Sequence, residues 1–153
     1  DPIWTYNTTQ KADIACKVDT VTNFSDRAVI FNRTYYYKNT RVSFAIEGVF
    51  EPRERPADKM RIGMPGGPVE GWEELLYLSQ NNMCGVFKVM LENPVVGTWF
   101  DLRVKNSSVE KGPDKNCSDN FKTHTTTSRR LYNSTCQSIL IPTKNTSYVR
   151  WKA

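Results

Sequence analysis

Seven short runs rich in Val, Ile, Phe, Tyr and Thr follow one another through the first two thirds of this 153-residue chain. They cover residues 14–21, 28–38, 41–50, 59–64, 73–79, 84–91 and 98–104. β-Branched and aromatic side chains suit a pleated, half-buried surface, so each run reads as a strand. Turn-forming residues stand between them: Asn23-Phe-Ser-Asp26, Lys38-Asn39, Pro65-Gly-Gly-Pro68, Gln80-Asn-Asn82 and Glu92-Asn-Pro94. Strands in series with links this short pair antiparallel, which predicts one domain built as an up-and-down barrel or a sandwich.

The period of two assigns faces. Along 41–50, Val42, Phe44, Ile46, Gly48 and Phe50 share one side, and Ser43, Ala45, Glu47 and Val49 the other. Asn32 lies in an Asn-x-Thr triplet and is set outside, which turns Val29, Phe31, Arg33, Tyr35 and Tyr37 inward. Lys88 is set outside, so Phe87, Val89 and Leu91 point in. Leu76 and Leu78 oppose Glu73 and Tyr77 and are expected inside. The run 98–104 leaves two options: Phe100 and Leu102 face in, or Trp99, Asp101 and Arg103 do. The residues expected to fill or line the interior are Phe31, Tyr35, Tyr37, Phe44, Ile46, Phe50, Leu76, Leu78, Phe87 and Val89. Past the strands the pattern changes. Residues 112–132 read as one amphipathic helix opened by Pro113-Asp114. Residues 138–141 and 147–151 have strand composition.

Seven Asn-x-Ser/Thr triplets run from end to end, at Asn7, Asn23, Asn32, Asn106, Asn116, Asn133 and Asn145, and none has Pro in the middle. Each is a glycosylation acceptor if the chain enters a secretory pathway. The cysteines agree with that location. Cys16, Cys84, Cys117 and Cys136 are even in number and lack the CxxC spacing of redox or zinc sites. They read as two structural disulfides of an oxidising compartment, with three pairings open. No signal peptide is visible ahead of Asp1, so the chain reads as a mature, secreted, extracellular form. No apolar run approaches the ~18 residues of a membrane span.

The formal charge of +5 is spread in single residues and short doublets such as Arg129-Arg130. No basic stretch interleaves with aromatics, so a nucleic-acid partner is not expected. Catalytic patterns are equally absent. The one histidine, His124, has no nucleophile motif beside it, and one histidine cannot build a His-rich metal site. Gly63-Met-Pro-Gly-Gly67 lacks the Lys-Ser/Thr of a phosphate loop. The expectation is therefore a non-enzyme without cofactor or metal.

Four stretches carry a resemblance. Asp1-Pro2-Ile3-Trp4 followed by Cys16 resembles the opening motif of the tick salivary lipocalins, the family that includes histamine-binding proteins. Asn82-Met-Cys84-Gly-Val86 is similar to that family's Asn-x-Cys-x-Val strand, and Trp99-Phe-Asp-Leu102 to the aromatic strand after it. Pro113-Asp-Lys-Asn116-Cys117, with Phe121 and then Cys136, resembles its Cys-bearing helix. The nearest subgroup by resemblance is the sterol-binding, dendritic-cell-modulating japanin clade. The resemblance implies a lipocalin barrel, disulfides Cys16–Cys136 and Cys84–Cys117, and a small hydrophobic ligand such as a sterol or fatty acid. It also implies a host immune-cell target. Biogenic-amine capture is one alternative and requires inward carboxylates, for which Asp101, Glu47 and Glu92 are candidates, with alternation putting Glu47 outside; the other is a receptor- or cytokine-engaging outer surface carrying Tyr36 and Tyr77. Family members place a helix and a strand before the Asp-Pro-x-Trp motif. Residues 147–151 are therefore expected to pair within the sheet and close the barrel, in effect a circular permutation, with Asn145 in the turn before them.

Overall fold

The computed structural model describes residues 1–51, 58–141 and 146–148. Eight antiparallel strands follow in chain order: β1 (Ile3–Thr8), β2 (Ile14–Phe24), β3 (Ala28–Tyr37), β4 (Thr40–Phe50), β5 (Lys59–Gly63), β6 (Gly71–Leu78), β7 (Cys84–Leu91) and β8 (Thr98–Lys105). Each pairs with its neighbours in sequence, and β1 pairs β8 from Ile3↔Lys105 to Thr8↔Asp101. The result is a closed up-and-down barrel, which removes the sheet edges that invite aggregation. The β3–β4 link is a two-residue turn in which Lys38 and Asn39 both take positive φ, at 48° and 66°. That geometry matches the twist of the flanking strands.

The helix is shorter than expected. α1 spans Lys115–His124, capped by Asp114, whose side chain accepts from the Cys117 backbone N–H at 2.9 Å. Thr125–Thr127 leave the helix, as β-branched residues lose side-chain freedom there. Arg129–Arg130 form a short strand, β9, paired to β1. Residues 138–141, expected extended, mostly belong instead to a 3₁₀ helix, Ser134–Leu140, with Asn133 as its cap. Both disulfides are formed, Cys16–Cys136 and Cys84–Cys117, and no cysteine is free.

The permuted closure does not occur. β1 and β8 close the barrel on one side, and β4 pairs β5 on the other through Glu47–Phe50. The first strand is the Asp-Pro-Ile-Trp segment itself. A tail strand, β10 (Thr146–Tyr148), does enter the sheet, in parallel with Arg41–Ser43 of β4. That stretch of β4 extends past its pairing with β5, so its outer edge is open to β10. Asn145 and residues 149–151 lie outside the described residues.

Two apolar clusters result, and the larger is not in the lumen. Trp4, Val18, Val86, Leu102, Val104, Phe121, Tyr132 and Ile139 pack between the outer face of β1, β2, β7 and β8 and a layer formed by α1 and the 131–140 segment. Both disulfides lie in this cluster and tie that layer to the wall. The smaller cluster of Val29, Phe31, Ile46 and Ile62 lies against the lumen, with Phe44, Phe50, Met60 and Leu91 around it.

Candidate ligand-binding cavity

A cavity of about 270 Å³ opens within the barrel. Its walls include Tyr35, Tyr37, Phe44, Ile62, Val89, Leu91 and Trp99, and its other end carries Lys17 and Arg33. Ala12, Ile14 and Val96 line it from the β1–β2 and β7–β8 ends. Of the residues expected to face inward, Tyr35, Tyr37, Phe44 and Val89 line this cavity. Phe31 and Ile46 are buried beside it, and Phe50 packs against them. Phe87 lies under Arg103, whose guanidinium carbon is 4.3 Å from the ring centre.

Leu76 and Leu78 depart from the expectation. Leu76 packs against the outer cluster beneath α1, and Leu78 is exposed. The β6–β7 register shifts between Leu75 and Tyr77, so the alternation changes phase within β6. Upstream of that bulge it is Glu73 that faces the lumen, 1% exposed. The open choice on β8 resolves the same way. Trp99, Asp101 and Arg103 are inside, whereas Phe100, Leu102 and Val104 face the α1 layer.

The lumen therefore holds a buried ionic network across its width. Arg33 grips Asp19 with two hydrogen bonds, Nε to Oδ1 at 2.8 Å and Nη2 to Oδ2 at 2.9 Å. It reaches across the barrel from β3 to β6, with Nη2 3.0 Å from Glu73 Oε2. Arg103 holds the other Glu73 oxygen at 2.6 Å and Asp101 Oδ2 at 3.0 Å. Thr8 Oγ1 donates to the remaining Asp101 oxygen at 2.6 Å. Burial pushes the Glu73 carboxyl up, but Arg103 and Arg33 outweigh it and hold the group well below the usual carboxylate range. Such a network costs desolvation, which the close pairing of each carboxylate with at least one guanidinium offsets, although Glu73 Oε2 meets Arg33 as an ion pair without a hydrogen bond.

Lys17 is the exception. It is buried, yet it forms no ion pair among the described residues. Its Nζ lies 3.5 Å from Gln10 Oε1, long for a hydrogen bond, and 5.5 Å from the centre of the Trp99 ring. Burial, and then the nearby Arg33 charge, lowers its pKa to about 8. The Trp99 indole N–H, also buried, has no partner among the described residues. One unsatisfied donor and one ammonium without a counter-charge thus stand where the apolar walls meet the charged floor. Cys84, Asp114 and Cys117 cluster within 4.8 Å outside the barrel, but both sulfurs are consumed by disulfides, so they offer no thiolate to a metal.

Sequence alternation placed Arg33 inside and held Asp101 and Arg103 as one of two options, but it missed Lys17, Asp19 and Glu73 for a physical reason. Lys17 lies within, and Asp19 just beyond, a bulge between Ala15 and Val18, where Cys16 takes a φ of 58° and the face parity changes. The visible signal was in 98–104, where the polar option was one of the two on offer. No protein-family model matches this chain, and comparison with curated proteins returns no match either.

Proposed function

We propose that this protein is a secreted lipocalin-like carrier that binds a small amphipathic lipid, a fatty acid or related carboxylate, inside its barrel. The observation that carries the reading is a buried ammonium without a counter-charge, Lys17 Nζ, held only by a long bond to Gln10, beside the unpartnered indole N–H of Trp99 at the polar end of an otherwise apolar cavity. A carboxylate there supplies an acceptor for Trp99 Nε1 and a counter-charge for Lys17 Nζ, and raises the Lys17 pKa back toward its ordinary value. The cavity, about 270 Å³, lies at the foot of the ~300–1,000 Å³ range of ligand pockets. That size suits a flexible acyl chain better than a rigid sterol, and a sterol has no charge to offer Lys17. Amine capture is disfavoured because Asp19, Glu73 and Asp101 are already held by guanidinium groups. Neither Glu47 nor Glu92 lines the cavity.

Secretion rests on the two disulfides together with the seven acceptor triplets. The resemblance to tick salivary lipocalins extends the proposal to a host-directed, immune-modulating role without catalysis. Mass spectrometry of ligand extracted from protein purified from a secretory host tests the binding reading. A carboxylic lipid at near-stoichiometric yield is the expected result. Tight histamine or cholesterol binding, with no competition from fatty acids, overturns it. Filling the cavity with Leu91→Trp then separates ligand-dependent from surface-dependent action on immune cells. A variant that cannot bind lipid yet remains fully active assigns that action to the outer surface.

A further inference from the structure

A second concavity, about 500 Å³, lies on the outside of the barrel under α1. It runs between β1 and β8 on one side and α1 and the 125–128 segment on the other, and Tyr6, Asn7, Leu102, Phe121, Lys122 and Ser128 are among its lining residues. Asn7 is the acceptor of the triplet Asn7-Thr8-Thr9. Its Nδ2, the atom that a glycan would occupy, donates to Ser128 Oγ at 3.3 Å across the concavity. We propose that the occupant of this groove is the chain's own Asn7-linked glycan, whose first sugars are held between β1 and α1.

The chemistry of the lining fits a carbohydrate. Ser118, Thr125 and Ser128 provide hydroxyls for a sugar's oxygens, and Tyr6, its ring already under the Arg130 guanidinium, and the largely buried Phe121 add apolar edges to the lining. Attachment forms a bond from Asn7 Nδ2 to the anomeric carbon of a lipid-linked diphosphate oligosaccharide. The carbon–oxygen bond to the diphosphate breaks, and the amide gives up one proton. The second amide hydrogen survives and can keep the bond to Ser128. In the folded protein β1 is hydrogen-bonded to β8 and to β9, Thr8 Oγ1 is committed to Asp101, and Thr9 Oγ1 accepts from the Phe100 N–H at 2.9 Å. Transfer therefore precedes folding, and α1 closes over a sugar already in place. Asn23, Asn116 and Asn133 differ, since their side chains stand exposed.

This inference rests on the proposed secretory route, and the test keeps the two apart. The protein is produced in a glycosylating secretory host as wild type, Asn7→Gln and Asn23→Gln, and also in a host without N-glycosylation. Glycopeptide mass spectrometry is expected to find Asn7 and Asn23 both occupied. The Asn7 glycan should resist endoglycosidase on the native protein and yield only after denaturation, while the Asn23 glycan is released from both. Losing the Asn7 glycan should lower Tm by roughly 2–4 °C and speed hydrogen exchange across 115–128. Wild type and Asn7→Gln should melt together when made without glycans. Occupancy at Asn23 with none at Asn7 overturns the groove proposal alone. So does native-state release at equal rates, or a destabilisation by Asn7→Gln that is the same in both hosts. Empty acceptors throughout overturn the secretory route and this proposal with it.

Discussion

At the scale of single residues the interior is decided by which charges have partners. Lys17 carries a cation into the lumen with no carboxylate on it, and the ordering of its neighbours makes a signed prediction. A bound carboxylate needs the ammonium form, so fatty-acid affinity should hold steady below about pH 8 and fall as pH rises through that value. Fluorescent fatty-acid titrations across pH 6–10 measure this. Lys17→Met should flatten the profile and weaken binding roughly 10–100-fold, the worth of one charge-assisted bond. The same substitution should not lower stability. The folded pKa of Lys17 lies below its unfolded value, so its burial disfavours the native state below about pH 8, and that penalty disappears as pH rises toward the unfolded value. Glu73 has the opposite sign. Its carboxyl is depressed, so its stabilisation is complete above the ordinary glutamate pKa and is lost as pH falls through and below it. Glu73→Gln removes the carboxylate shared by two buried guanidinium groups, leaving Arg33 only Asp19 and Arg103 only Asp101, and should cost about 3 kcal/mol in urea denaturation at neutral pH.

At the scale of elements, seven of the eight barrel strands were legible in the sequence to within a few residues, because hydrophobic runs and turn residues alternate cleanly there. β1 was not: no turn signal sets Ile3–Thr8 apart from the polar stretch after it, and its large side chains Trp4 and Tyr6 face the outer layer. Inside and outside were harder to tell apart than strand and loop. On β7 and β8 both faces are covered, the lumen on one side and α1 on the other. Apolar residues there do not mark the interior, and the bulges on β2 and β6 hide where parity reverses. The helix was overextended because its stop lies in residues that dislike helices, not in a Gly or Pro. Asp114→Ala should cost about 1 kcal/mol by removing its cap on the Cys117 N–H, read as a lower urea midpoint. Deleting residues 143–153 should leave fatty-acid affinity unchanged, because β1–β8 and β4–β5 already close the barrel. A loss of binding in that truncation would show that the tail does more than pair with the open stretch of β4.

At the scale of the whole molecule, two disulfides fasten an outer layer to a barrel whose own lumen is polar at its floor. Cys16–Cys136 closes a separation of 120 residues and Cys84–Cys117 one of 33. In the chain-entropy model these constrain the unfolded state by roughly 4–5 and 3–4 kcal/mol. Replacing the first pair with alanine should therefore lower stability more than replacing the second, as measured by thermal melts under oxidising conditions. The ionic floor has another consequence. Because Arg33 on β3 and Glu73 on β6 join across the lumen, the ion pair sets a floor beneath the cavity, and a lipid anchored at Lys17 would run from that floor toward the rim. The distance from that anchor to the rim then acts as a ruler. On the proposed reading, acyl chains within its reach would be enclosed whole, while longer ones would leave their methyl ends at the lip near Tyr37 and Val96.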